Sequence, residues 1–135
     1  MKRLQAGGEI LRVVDDHDQR RREPGQLLVN GPPREAGEAR RLWAQGLILG
    51  MLPTTRYVSE ECTLVAPTRL FVFSDGVYEI QGPDDSMPPF EAFEEVLTRP
   101  AQDGRSELDE LLRFAQDVRG TRLLEDDFSI LKLTL

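Results

Sequence analysis

Arg69-Leu70-Phe71-Val72-Phe73-Ser74-Asp75-Gly76-Val77 is the stretch on which the fold turns. Arg69 to Ser74 is strongly apolar without alternation, the pattern of a strand buried on both faces. It runs straight into an aspartate, and the glycine that follows permits a sharp backbone turn and the close approach of a ligand. Just upstream, Tyr57 to Val65 carries several β-formers, and Ala66-Pro67-Thr68 makes a turn. Two adjacent strands with so short a connection are expected to pair as an antiparallel hairpin.

Working outward towards the C-terminus, Gln81 to Pro89 is rich in Pro, Asp and Gly and reads as a loop, and Phe90 to Leu97 as a short helix. Ser106 to Arg119 is the strongest helical segment. Ser106 is a natural N-cap, Asp109 completes a capping box in place of the usual Glu, and Gly120 is placed to end the helix. Leu108, Leu111, Leu112, Ala115 and Val118 form its expected apolar stripe. Phe128 to Leu135 reads as a final strand, with Phe, Ile, Leu and Leu expected on one face.

Towards the N-terminus, Glu9 to Val14 and Gln26 to Asn30 read as short strands, separated by the polar turn Asp15-Asp16-His17-Asp18, where His17 is expected to be solvated. Asn30-Gly31-Pro32-Pro33 breaks any regular element. Glu35 to Gln45 places Ala36, Ala39, Arg40 and Trp43 at helical spacing and is expected to be a helix weakened by Gly37. Gly46 to Pro53 is an apolar loop. Strands, then helices, then a returning strand predict an α+β domain spanning residues 1–135, with layered antiparallel β-sheets flanked by α-helices.

The 135 residues carry 17 basic and 24 acidic side chains, a formal charge of −7 that disfavours nucleic acid and anionic membranes as partners. The same field suits a divalent cation or a basic protein surface. Cys62 is the only cysteine, which rules out an intrachain disulfide and fits a cytoplasmic, reducing location. With no Cys-His pattern around it, Cys62 reads as a half-buried strand residue. No apolar run approaches the ~18 residues of a membrane span.

Carboxylates stand at strand ends in two places: Asp75-Gly76, and Glu125-Asp126-Asp127 ahead of the last strand. If those strands are sheet neighbours, the acids meet at one edge, and hard oxygen ligands gathered there suit Mg²⁺ or Mn²⁺. Taken alone, Asp-Gly is also a common turn, and an acidic pair before a strand is often a solvated loop.

From Trp43 to Leu135 the chain resembles the C-terminal half of PPM-type protein phosphatase domains of the SpoIIE/RsbU branch. The similarity runs through Gly46-Leu-Ile-Leu-Gly50-Met-Leu-Pro53, a β-hairpin, Phe73-Ser-Asp75-Gly-Val-Tyr-Glu79, an amphipathic helix, and Asp126-Asp127-Phe-Ser129. Asn30-Gly31-Pro32-Pro33 resembles a shortened Asn-Ala-Gly-His-Pro-Pro turn, and Ala6-Gly7-Gly8-Glu9 the Gly-Gly-Asp motif near the domain start. The resemblance implies an αββα sandwich, here truncated, in which Mg²⁺ or Mn²⁺ ions between two sheets activate a water that attacks a phosphoserine or phosphothreonine. It further implies Asp75, Asp126 and Glu9 as metal ligands, Glu9 standing where the family has aspartate, with Gly8, Gly76 and Asp127 in supporting positions. The implied partner is a phosphorylated regulatory protein of the anti-anti-sigma kind.

The chain departs from the family in one large respect. Nothing between Val14 and Gln26 matches the family's Asp-X-Gly-X-Gly segment, and the interval is too short for the helices and strands that follow it there. That departure opens a second reading, a phosphatase-like scaffold that binds a regulatory protein without turnover. It also leaves sheet surface uncovered, from which a homodimer or a bound partner is expected.

Overall fold

The computed structural model describes residues 9–13, 26–31, 36–42, 53, 54, 56, 60–100, 102, 104–124 and 127–135. Among them the elements run β1 (Glu9–Val13), β2 (Gln26–Asn30), β3 (Glu38–Leu42), β4 (Glu60–Leu64), β5 (Thr68–Phe73), α1 (Phe90–Thr98), α2 (Glu107–Arg119) and β6 (Ile130–Thr134), with a 3₁₀ turn at Asp75–Val77. Every strand pair is antiparallel. β1 and β4 form a two-stranded sheet, and the other four lie in the order β3-β2-β5-β6.

β5 behaves as its composition demands. Phe71 and Phe73 point to one side and pack with Val29 of β2, Phe93, Val96 and Leu97 of α1, and Leu111 of α2. Leu70 and Val72 point to the other, where they meet Leu42 of β3 and Cys62 and Leu64 of β4. Helices therefore cover one face of the four-stranded sheet and β4 covers part of the other. The α+β class is as expected; the second helical layer of an αββα sandwich is not among the described residues. None of the described helices is long and apolar enough to cross a membrane.

Several local expectations are corrected. β4 and β5 are not a hairpin: β4 pairs with β1, while β5 pairs with β2 and β6. Residues 65–67 instead carry the chain from one sheet to the other, so that Cys62 and Leu64 bury against the flat of β5 rather than along its edge. The segment read as a helix from Glu35 contains β3, paired along its length with β2. In β3, Ala39 packs towards the helices while Leu42 enters the opposite core, a strand's two-sided placement that overrides the helical preference of Ala, Arg and Glu. In β6 no single face collects the apolar residues: Phe128 and Ile130 pack on the helical side, whereas Leu131, Leu133 and Leu135 are exposed. Leu112 of α2 is exposed as well, while Leu111 and Ala115 are buried. His17, residues 46–50 and Glu125 lie outside the described residues.

Both helices are held by identifiable contacts. Arg41 of β3 donates to Glu91 and to Glu94 of α1, each at 2.8 Å, with its guanidinium 4.3 Å above the centre of the Phe90 ring. At the start of α2, Asp109 N–H donates to Ser106 Oγ at 3.2 Å and Ser106 N–H to Asp109 Oδ2 at 3.0 Å, so the capping box forms with aspartate. Gly120 closes that helix in the left-handed region at φ 72°.

Glu107, the first residue of α2, is 4% exposed and sits over β5 and β6. It accepts from Arg69 Nη1 of β5 on one oxygen and from Lys132 Nζ of β6, at 2.8 Å, on the other. Arg69 is 1% exposed, and its Nε and Nη2 have no hydrogen-bond partner among the described residues. Burial pushes the Glu107 carboxyl upward, but hydrogen bonds from Lys132, the backbone and Arg69 outweigh it and hold the group below its usual range. Glu107→Ala strands the Arg69 cation and is expected to lower unfolding free energy in urea by about 3–5 kcal/mol. Because the folded-state value is depressed, the stabilisation is present above the ordinary value of 4.5 and disappears as pH falls through the lower folded one. Urea midpoints measured against pH are expected to show a weaker acid limb in Glu107→Gln than in the native chain.

Candidate functional site

The sequence pattern that ends β5 also builds the corner beyond it. Ser74 is still extended, at φ −81° and ψ 163°, and the chain then folds into the 3₁₀ turn. Tyr78 N–H and Glu79 N–H both donate to the Asp75 carbonyl, at 3.0 and 2.9 Å. Gly76, Val77 and Tyr78 are buried. Tyr78 stands edge-on to Phe73 and Phe90, with ring centres 5.8 and 5.2 Å apart. Asp75 is left exposed on a rigid apolar base, its Oδ1 accepting from Gly76 N–H at 3.0 Å.

β6 brings Asp127, the described residue of the second acidic segment, to the same place. Phe73 pairs with Ile130, and Ser74 N–H donates to the Ser129 carbonyl at 2.9 Å. The Ser74 hydroxyl then donates to the Asp127 carbonyl at 2.6 Å and accepts from Ser129 N–H at 3.1 Å. The two strands are thus sheet neighbours, the condition on which the acids were expected to meet, and the main chain of Asp127 is fastened beside Asp75.

The candidate ligands fare differently. Asp75 and Asp127 are both exposed at this corner. Asp126 and Gly8 lie outside the described residues. Glu9 opens β1 opposite Leu64, in the two-stranded sheet rather than the sheet of Asp75, and its side chain is outside the described set. Gly76 does not hold a backbone conformation reserved for glycine, since the positive-φ glycines are Gly31, Gly104 and Gly120. It lies buried within the 3₁₀ turn instead. Among the described residues no group of three or more His, Cys, Asp or Glu side chains converges as a metal cage. What the described corner offers is exposed carboxylate oxygen, which fits a Mg²⁺ or Mn²⁺ ion that keeps several of its waters and uses one or two carboxylates.

Ser74 was not singled out in the sequence, although its hydroxyl joins the two acidic segments. The signal available was a serine between a buried strand and an aspartate, matched by Ser129 after Asp126-Asp127. Cys62 is buried in β4, and burial raises its thiol above the ordinary value while Arg40 lowers it less. That is the environment of an inert packing residue, not of a nucleophile. A groove of about 360 Å³ between α1 and α2 sets Arg99, Arg105 and Arg113 against Glu107, Glu110 and Asp117, which leaves it without the charge excess of an anion site.

The family model for Stage II sporulation protein E, SpoIIE, matches residues 24–135, which includes β2 through β6 and the whole Asp75 corner. No curated protein and no solved structure matches the chain.

Ser74→Ala removes both side-chain links between the acidic segments and is expected to cost about 1 kcal/mol in denaturant unfolding. Ser74→Thr keeps a hydroxyl at that position and is expected to retain most of that stability.

Proposed function

Since this chain belongs to the SpoIIE family, a family of PPM-type phosphatase domains, we propose that it is a phosphoprotein phosphatase acting on phosphoserine or phosphothreonine of a cytoplasmic regulatory protein. The observation that supports this reading is the Ser74 clamp, which ties the Asp75 corner to the main chain of Asp127 and Ser129 at one end of neighbouring strands. Asp75 and Asp126 would hold the divalent cation, with Glu9 as a third candidate ligand and Gly8, Gly76 and Asp127 as supporting residues. Mg²⁺ or Mn²⁺ bound there supplies Lewis-acid neutralisation of phosphate charge and a water of lowered pKa, both of which phosphate-monoester hydrolysis needs. The protein's own part is positional. The buried Val77 and Tyr78 support the turn, and the Ser74 hydroxyl ties it to the main chain of Asp127 and Ser129. The partner in this reading is a phosphorylated protein of the anti-anti-sigma kind, recognised at a rigid, exposed acidic corner through its bound cation.

A second reading is favoured by one specific feature, the missing Asp-X-Gly-X-Gly segment between Val14 and Gln26. Here the same scaffold binds the regulatory protein, and the cation if it binds is structural. Altering groups that merely support metal ligands costs roughly 10–100-fold in affinity or activity, so loss of a bridging ligand weighs heavily.

Hydrolysis of an aryl phosphate and of a phosphoserine peptide, with and without Mn²⁺, separates the two. The enzyme reading expects Mn²⁺-dependent turnover that falls by at least about 100-fold in Asp75→Asn. Calorimetric Mn²⁺ binding without turnover selects the scaffold. Absence of both, with the chain folded, removes the metal role from Asp75 and Asp126.

A further inference from the structure

β6 is a border of the four-stranded sheet, with β5 on one side and no described strand on the other. Its ladder with β5 shows which way its main-chain groups point. Ser74 N–H donates to Ser129 O, and Thr68 and Leu135 exchange hydrogen bonds in both directions, at 3.1 and 2.9 Å. Residues 129, 131, 133 and 135 therefore direct their N–H and C=O groups to β5, and antiparallel alternation turns those of Ile130, Lys132 and Thr134 outward. The side chains follow the complementary parity. Leu131 and Leu133 are 56% and 41% exposed on the face away from the helices.

The opposite border is built differently. β3 carries Glu38, Arg40 and Arg41, all exposed, the charged protection usual on a sheet edge. β6 carries one charge, Lys132, and its ammonium is already bound to Glu107 at 2.8 Å on the helical face. An outward-facing hydrogen-bonding row, an uncharged leucine face and a central lysine held by Glu107 on the helical face make this edge self-complementary.

We propose that β6 pairs antiparallel with β6 of a second copy of this chain about a twofold axis at Lys132. In that register the outward groups of Lys132 meet those of Lys132 in the other copy, and Ile130 pairs with Thr134 in both directions. Every outward main-chain group from 130 to 134 is satisfied. Leu131 of one copy falls opposite Leu133 of the other, in the closer, non-hydrogen-bonded type of pair, so four leucines form one apolar row. The two Lys132 side chains, otherwise repelling neighbours, each stay with their own Glu107. The contact is isologous and closed, so it gives a dimer with a continuous eight-stranded sheet and no open polymer. Nothing in it depends on the phosphatase reading.

Sedimentation equilibrium of the full chain across the micromolar range tests the seam. The expected species has twice the 15.3 kDa chain mass. Thr134→Pro deletes an outward N–H while sparing the β5 ladder, and Leu131→Lys with Leu133→Lys places like charges opposite one another. Each is expected to raise the dimer dissociation constant by about tenfold or more, with an unchanged circular dichroism spectrum. A native chain that stays at 15.3 kDa throughout overturns the proposal and leaves the border to a strand of a different protein. A dimer indifferent to both variants overturns it by placing the contact elsewhere.

Discussion

β5 is buried on both faces and hydrogen-bonded along both edges, and the rest of the molecule is arranged to satisfy it. Phe71 and Phe73 require the helical layer on one side, and Leu70 and Val72 require β4 on the other. Its main-chain groups require β2 and β6. Apolar surface and unpaired backbone are the two things a small chain cannot leave uncovered in water, and a single central strand sets both demands at once. The chain's abrupt passage from β4 to β5 follows from this: covering the flat of the strand gains more apolar contact than pairing at an edge that β2 and β6 already occupy.

The helical layer is joined to the sheet by more than apolar packing. Glu107 receives one cation from β5 and another from β6, so its carboxylate ties the start of α2 to two adjacent strands. A buried trio with two cations and one anion is a poor source of net stability, because desolvation offsets much of the attraction. Its value lies in geometry. A placement of α2 that moved Glu107 away from β5 and β6 would leave the buried Arg69 cation unpaired. At the other helix, Arg41 makes a comparable link from β3 to α1 nearer the surface, where solvent weakens it.

The Asp75 corner is a consequence of the same strand pairing. Where β5 and β6 end together, the side chain of Ser74 continues the ladder by one further link, donating to Asp127 O and accepting from Ser129 N–H. Burial of Gly76, Val77 and Tyr78 immediately after Asp75 leaves that aspartate as the exposed member of a fixed turn. In the proposed phosphatase reading, a carboxylate presented this way would need little reordering to meet a hydrated cation. β6 positions the corner with one edge and, in the proposed dimer, pairs through the other.

Local patterns were legible wherever a residue's neighbours in sequence decide its state. Ser106, Asp109 and Gly120 bound α2 as their capping chemistry requires, and the unbroken apolar run of β5 announced a two-faced burial. That β5 and β6 are neighbours, which brings the main chain of Asp127 next to the Asp75 turn, was legible only as a condition, because strand order is set by distant contacts. Tertiary structure decided what short-range pattern cannot encode. The segment around β3 became a strand because β2 offered it hydrogen bonds, and β4 left its expected hairpin because the flat of β5 needed cover. The buried partnership of Arg69 with Glu107, 38 residues apart, and the Ser74 clamp across 53 residues have no local signature at all. Sequence by itself determined which residues prefer to be capped, turned or buried; only the closed fold, through long-range pairing and desolvation, decided which of them meet.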